Sequence, residues 1–128
     1  MGQNLIKILP CLSAHSAVVS TLHGACFDEV WNEVAVNKIL SMPGVIGFLG
    51  CHENDPCGFI IGRVAADEAE IITLGVIPPW RDKGAASLLL EAFLGEALAQ
   101  GAGAVYLEVA DDNTAARALY TTAEFQEA

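Results

Sequence analysis

The sequence predicts one domain with a mixed sheet, of the α/β or α+β class, and three observations support this. The chain has 128 residues, a length that suits a single hydrophobic core. The first half carries two apolar runs separated by a turn, which is typical of an antiparallel hairpin. The second half alternates strand and helix patterns, and a strand–helix–strand crossover joins strands that run parallel. We therefore expect both kinds of strand pairing in one sheet.

The first half should contain three strands and two helices. Pro10 ends the first strand, and Ser13 is a candidate N-cap for the first helix. Turns are expected at 42–44 (Met-Pro-Gly) and at 53–56 (Glu-Asn-Asp-Pro). In chain order the expected elements are a strand at 4–9, a helix from 13 to about 26, a break at 27–31, a helix ending near 40, and strands at 45–51 and 58–65.

The second half should contain a strand, a long helix, a second strand and a last helix. After a turn at 66–68, the strand at 69–77 ends at Pro78 and Pro79, because proline cannot donate to a sheet ladder. A loop at 80–83 leads into a helix at 84–100, in which Leu89, Phe93 and Ala97 form one apolar stripe. The strand at 104–109 should pair in parallel with the strand at 69–77, and a helix at 114–123 follows.

Composition and charge narrow the class of partner. The net charge is −10, and no basic patch of the kind that displaces counterions is present, so we expect no nucleic-acid partner. The acidic surface either favours a cationic partner such as a basic peptide or only keeps the protein soluble. No apolar run approaches the ~20 residues of a membrane helix, and the first residues do not resemble a signal peptide. We therefore expect a cytoplasmic protein without a membrane partner.

The cysteines and histidines do not form a pattern that predicts a metal site. Cys11, Cys26, Cys51 and Cys57 include no C-x-x-C pair, and the three histidines do not cluster. Free thiols buried in a reducing compartment are the simpler interpretation. We expect no metal.

The stretch LGVIPPWRDKGAASLLLEAF, at 74–93, is the segment most typical of a ligand site. An apolar strand ends there, and a helix begins after a short loop. The first helical turn has amides without intrahelical partners, and the helix dipole favours an anion beside them. Small residues allow a bulky anion to approach closely, although they also occur at helix starts for packing reasons alone. The spacing is neither that of the P-loop nor that of the dinucleotide fingerprint.

Two motifs in this part of the chain resemble those of the GNAT superfamily of acetyltransferases. Residues 81–86 (RDKGAA) resemble its [QR]-x-x-G-x-[GA] motif, which holds the CoA pyrophosphate. Residues 107–120 (LEVADDNTAARALY) resemble its L-E-V-x-x-x-N-x-x-A-x-x-L-Y segment in the RimI-like form, that of the enzymes that acetylate the N-terminal alanine of ribosomal proteins. The likeness spans nearly the whole chain and is strongest from 73 to 125. It implies the GNAT fold, a mixed central sheet with helices on both faces.

The resemblance also implies that acetyl-CoA is the co-substrate and assigns residues to it. Backbone groups at the end of the strand should line the pantetheine arm, and an amide there, that of Val76, should bind the acetyl oxygen and then the oxyanion. Amides of the loop and of the helix start should hold the pyrophosphate. Asn113 should contact CoA, act as an N-cap, or do both. The expected CoA-binding residues are Val76, Ile77, Pro78, Arg81, Lys83, Gly84, Ala85, Ala86, Ser87 and Asn113.

Four further residues are assigned by the same resemblance. Glu108 matches the general base for the incoming amine, and Tyr120 matches the acid that protonates the CoA thiolate. The alternatives are a strand-end carboxylate that faces water and a core tyrosine. Phe27 and Trp31 are expected either to form a wall of the acceptor groove or to pack in the core.

The function implied is acetyl transfer to a primary amine by direct attack in a ternary complex. The preferred acceptor is the N-terminal α-amine of a protein such as a ribosomal protein. The alternatives are a small-molecule amine as acceptor, or an inactive CoA-binding module.

Three departures from the family pattern bear on this. Asp82 lies in the phosphate loop, and Glu124 stands where the family usually has glycine. The family continues past Phe125 with two paired strands, so the C-terminal strand pair is expected to be incomplete. A sheet edge exposed in this way predicts self-association.

Overall fold

A computed structural model of the protein describes residues 6–28, 31–107 and 126–127. Its described part forms one six-stranded sheet in the order β1-β2-β3-β4-β5-β6. Neighbours from β1 to β4 pair antiparallel, whereas β4–β5 and β5–β6 pair in parallel, as the crossover predicts for β4 and β5. The elements are β1 (Ile6–Pro10), a 3₁₀ turn (Ser13–His15), α1 (Ser16–Cys26), α2 (Glu33–Leu40), β2 (Val45–His52), β3 (Asp55–Ala65), β4 (Glu68–Val76), a second 3₁₀ turn (Pro78–Trp80), α3 (Ala85–Ala99), β5 (Ala104–Leu107) and β6 (Gln126–Glu127).

Helices cover both faces of the sheet, and each face has its own core. The predicted stripe of α3 is fully buried, and it packs on one face against residues that include Ile60 and Ile71. Val19 of α1 and Val36 of α2 pack on the other face against Phe59 and Ile61. Since side chains alternate across a strand, β3 supplies both cores from adjacent positions. The predicted architecture, a mixed sheet with helices on both faces, is confirmed.

A β-bulge in β4 sets which side chains reach each core. The register passes from Ile61↔Thr73 to Gly62↔Ile71, so Ile72 is the extra residue on β4. A bulge shifts the alternation of side chains by one position. Ile71 and Val76, an odd and an even position, therefore both belong to the core beneath α3.

Two expected boundaries are wrong. Ser13 does not cap an α-helix: a 3₁₀ turn occupies Ser13–His15, and its N-cap is Leu12, whose N–H donates to His15 Nδ1 at 2.9 Å. The expected turn at 53–56 is shorter, because β3 already begins at Asp55. Its Pro56 lies beside the register shift at Gly50/Cys51, and bulges are where a sheet tolerates proline.

The chain's last described strand lies beside β5. Tyr106 is opposite Gln126, and Leu107 is opposite Glu127. The expected helix at 114–123 lies outside the described residues, and self-association through this edge stays a prediction. Among the described helices, none has the length and the apolar character that a bilayer crossing requires.

Candidate active site

The end of β4 and the start of α3 are joined by a tightly folded loop. Pro78 and Pro79 end the strand as predicted and begin a 3₁₀ turn. Within it, Trp80 N–H donates to the Ile77 carbonyl at 2.9 Å, and Arg81 N–H donates to the Pro78 carbonyl at 3.2 Å. The loop therefore leaves the sheet in a defined direction.

The loop then makes two left-handed residues before the helix. Asp82 has φ 62° and Gly84, the N-cap of α3, has φ 87°. The Asp82 side chain is exposed to solvent. Lys83, between the two, is also exposed.

The opening of α3 presents unused backbone donors. The first helical bond runs from Leu88 N–H to the Gly84 carbonyl at 3.1 Å, so the amides of 84–87 precede the intrahelical ladder. Among the described residues, no side chain caps this helix end and no acidic residue lies in its first turn. Ala85 is buried against the core, whereas Ala86 and Ser87 are half-buried. These small residues, together with the helix dipole, suit an anionic group.

The hydrogen-bond pattern of β4 directs the backbone of Val76 away from β3. Ile77 N–H donates to the Cys57 carbonyl at 2.9 Å, which makes Ile77/Cys57 a hydrogen-bonded pair. Such pairs alternate with non-bonded pairs in an antiparallel ladder, and Val76, opposite Gly58, belongs to the second kind. The N–H and C=O of Val76 therefore point to the β5 side of β4.

Arg81 extends its side chain back to this strand end. Its Nε–H donates to the Val76 carbonyl at 2.7 Å. Its side chain also bonds the thiol of Cys26, the last residue of α1. Burial raises the pKa of Cys26, and the hydrogen bond and charge of Arg81 offset part of that rise. The Val76 carbonyl is thus already engaged by Arg81.

Phe27 and Trp31, the two residues expected at the acceptor groove, both contact the ring of the buried His23. The His23 ring centroid lies 4.4 Å from that of Trp31, in a stacked arrangement, and 4.6 Å from that of Phe27. Phe59 of β3 completes the cluster at 5.9 Å. Phe27 and Trp31 are half-buried against the core. Core packing is part of their role, and a further role as groove wall stays a prediction.

Sequence reasoning missed His23 and Cys26. His23 lies one turn before Phe27, but α1 ends at Cys26 and Trp31 lies outside the helix, so no helical spacing groups the three residues. Cys26 has no such signal either, because its contact with Arg81 depends on how the loop closes. All four cysteines are free: Cys26 is half-buried, and the other three are buried as expected.

The remaining predicted residues are not brought together by the described structure. Glu108, Asn113 and Tyr120 lie outside the described residues, and their roles stay predictions. Within residues 6–28, 31–107 and 126–127, no group of three or more His, Cys, Asp or Glu side chains could hold a metal ion.

Comparison of the sequence with known proteins gives one family. Residues 17–125 match the model of the family described as "Acetyltransferase (GNAT) family". The N-alpha-acetyltransferase RimI of Mycobacterium tuberculosis is 34% identical over 110 residues, which cover 77% of this chain and 63% of the relative. The [ribosomal protein bS18]-alanine N-acetyltransferase of Escherichia coli K12 is 37% identical over 70 residues, 55% of this chain and 47% of the relative. The chain thus spans less than two thirds of the length of these relatives.

Solved structures share the fold at low identity. The ribosomal-protein-S18-alanine N-acetyltransferase from E. coli superposes with a TM-score of 0.88 at 24% identity, over 97% of this chain and 79% of the other. The aminoglycoside N-acetyltransferase AAC(6')-Iy in complex with CoA superposes with a TM-score of 0.83 at 16% identity, over 98% of this chain and 90% of the other. Arabidopsis thaliana NAA60 in complex with acetyl-CoA superposes with a TM-score of 0.83 at 17% identity, over 95% of this chain and 85% of the other.

Proposed function

Because the chain belongs to the GNAT acetyltransferase family, we propose that it transfers an acetyl group from acetyl-CoA to a primary amine. The finer proposal is that the amine is the N-terminal α-amine of a protein such as a ribosomal protein. The observation that carries the proposal is the opening of α3, where four amides and a positive helix dipole are left uncapped within the described chain.

The donor side of this site fits an acyl-CoA. The amides at 84–87 suit a diphosphate, and the exposed Lys83 adds positive charge beside them. The Val76 N–H, directed to the β5 side of β4, is a donor for a carbonyl oxygen that gains negative charge during acyl transfer. Bound acetyl-CoA supplies an activated thioester, and the chain's own groups hold and orient it.

The acceptor proposal rests on the relatives and on proton chemistry. One relative is named an N-alpha-acetyltransferase, and another is named for the alanine of ribosomal protein bS18. An α-amine has a pKa of about 8 and a lysine about 10.4, so at neutral pH the lysine costs about 3.3 kcal/mol more to deprotonate. A single carboxylate, Glu108, is better matched to the α-amine.

The proposed transfer occurs in one ternary complex. The ammonium group gives a proton to Glu108, and its freed lone pair forms the C–N bond to the thioester carbonyl carbon. The Val76 N–H stabilises the oxyanion, and the C–S bond breaks as the intermediate collapses. Tyr120 gives its proton to the departing thiolate, the new amide nitrogen loses its second proton to the Tyr120 phenolate through water, and Glu108 releases its proton to solvent. A phenol has a pKa of about 10 and a thiol a pKa of about 8.5. Proton transfer from Tyr120 to the thiolate is therefore uphill by only about 2 kcal/mol.

Two measurements test the proposal. Calorimetric titration with acetyl-CoA should show one site per chain. Mass spectrometry should then find acetylation of short peptides with a free N-terminal alanine, the bS18 N-terminus first among them. Matched peptides with a blocked N-terminus and an internal lysine, and an aminoglycoside panel, are the contrasting acceptors. Binding without acetylation of any amine would support a CoA-binding module instead, and acetylation of aminoglycosides alone would support a small-molecule acceptor.

A further inference from the structure

The Arg81 side chain turns away from the diphosphate loop and closes a short ring. Its Nε–H reaches the Val76 carbonyl, five residues back, at 2.7 Å. The donor is charged, and charge-assisted hydrogen bonds are short and about twice as strong as neutral ones. With the two backbone bonds of the 3₁₀ turn, this bond fixes the chain from the last residue of β4 to Arg81.

One peptide unit, Val76–Ile77, is thereby held from both sides. Its N–H donates to the Cys57 carbonyl on β3 at 2.9 Å, and its C=O accepts from Arg81 on the β5 side. A peptide plane with both groups engaged cannot rotate freely. The orientation of the neighbouring Val76 N–H, the proposed oxyanion donor, depends on it.

The position of the Arg81 donor and the charge of Arg81 can be varied separately, because glutamine shares the first and lysine shares the second. Arginine Nε and glutamine Nε2 are each four bonds from Cα along the side chain, and both carry N–H donors. Glutamine can therefore make the same bond to the Val76 carbonyl without charge. Lysine has a methylene at that position and its ammonium donors one bond further out, so it keeps the charge but has no N–H donor four bonds from Cα.

We propose that Arg81 is a positioning residue whose Nε–H locks the Val76–Ile77 peptide, and that it acts through this bond rather than through its charge. The inference rests on the proposed function for its effect on acetyl transfer. It differs from the role expected for the Arg81 backbone amide, which concerns the diphosphate. The Val76 N–H is the group proposed to contact the oxyanion, and Arg81 acts by holding the neighbouring peptide in place.

The test compares Arg81→Gln, Arg81→Lys and Arg81→Ala. CoA affinity by calorimetry and kcat and KM with an N-terminal peptide should stay within about threefold of wild type in Arg81→Gln, because the bond is kept. In Arg81→Lys and Arg81→Ala, CoA affinity and kcat should each fall about tenfold or more, the size expected for losing a hydrogen bond to a charged donor. Arg63 is the matched control, since its Nε–H also donates to a backbone carbonyl, that of Pro43 at 3.2 Å, away from the site. Arg63→Lys should change neither value.

A second readout needs no ligand. Amide hydrogen exchange of Ile77 should accelerate in Arg81→Lys and Arg81→Ala but not in Arg81→Gln, because the peptide is freed only when the donor is lost. If Arg81→Lys behaves like wild type while Arg81→Gln does not, charge is what matters and the inference is wrong. If the wild type binds no CoA, the proposed function fails, and the exchange of Ile77 alone then decides whether Arg81 holds the peptide.

Discussion

Gly84 is required for its backbone conformation and not for space. Its φ of 87° is one that residues with a side chain rarely adopt, yet no atom lies within 4 Å of the position a Cβ would take. In the same loop, the Arg81 side chain donates a hydrogen bond to the Val76 carbonyl. This bond gives a physical reason why the motif that residues 81–86 resemble accepts either arginine or glutamine at its first position. Both residues can place an N–H donor four bonds from Cα.

Replacing Gly84 by alanine should cost about 1 kcal/mol of unfolding free energy, because the left-handed conformation strains a Cβ. Gly95 is the matched control in the same helix: a Cβ there also meets nothing within 4 Å, but its φ is not positive. Gly95→Ala should therefore stabilise the protein by up to about 1 kcal/mol. Urea unfolding measures both, and equal effects of the two substitutions would contradict the conformational argument.

The Cys11 thiol should make stability fall at alkaline pH. Burial raises its pKa from 9.0 to about 11. A group whose pKa is raised on folding stabilises the folded state below the pKa of the unfolded chain, and that contribution is lost as pH rises from about 9 through 11. The loss should be about 1–2 kcal/mol. Unfolding free energies of wild type and Cys11→Ala should converge across this interval, and a constant difference between them would be the contrary result.

At the level of elements, α3 was predictable and β3 only partly so. The stripe of Leu89, Phe93 and Ala97 repeats every four residues, as one face of a helix does, and all three side chains are fully buried. The start of β3 was missed because Pro56 reads as a turn residue, although the bulge beside it lets the sheet accept a proline. The position of a bulge depends on pairing between strands, which a single sequence does not reveal.

Deleting Ile72 tests the bulge in β4. Without the extra residue, Ile71 and Thr73 become adjacent and still face Gly62 and Ile61, so Leu74 and Val76 keep their places in the core beneath α3. We expect the variant to fold and to lose less than about 3 kcal/mol of unfolding free energy, since no core side chain changes face. The control is Ile72→Thr, which keeps the extra residue at this exposed position and should change stability by less than about 1 kcal/mol. Chemical denaturation of both variants decides; failure of the deletion variant to fold would mean that the local bend made by the bulge is itself required.

For the whole molecule, the fold and the position of the loop before α3 were more predictable than the cluster around His23. The order of strands and helices follows from local periodicity, and the loop before α3 follows from a short run of small residues. The direction of the Arg81 side chain and the cluster around His23 depend on contacts between distant segments, such as α1 with β3. Such contacts become visible only once the chain is folded.

The net charge of −10 predicts how acceptors are attracted. A peptide with several Lys or Arg residues after its N-terminal alanine should show a KM that rises about three- to tenfold between about 0.1 M and 1 M salt, as the Debye length shrinks from about 10 to 3 Å. A peptide of the same length with neutral residues at those positions is the control and should show little change. Equal salt dependence of the two peptides would mean that the surface charge does not steer the acceptor.

The central strand β3 has a consequence for how the protein comes apart. Phe59, Ile60 and Ile61 are consecutive and fully buried. Ile60 packs in the core beneath α3, and Phe59 and Ile61 pack in the core on the other face of the sheet. Neither layer can melt without exposing part of this strand. We therefore expect one cooperative unfolding transition, in which the helix that opens onto the donor site and the helices beside the aromatic cluster are lost together.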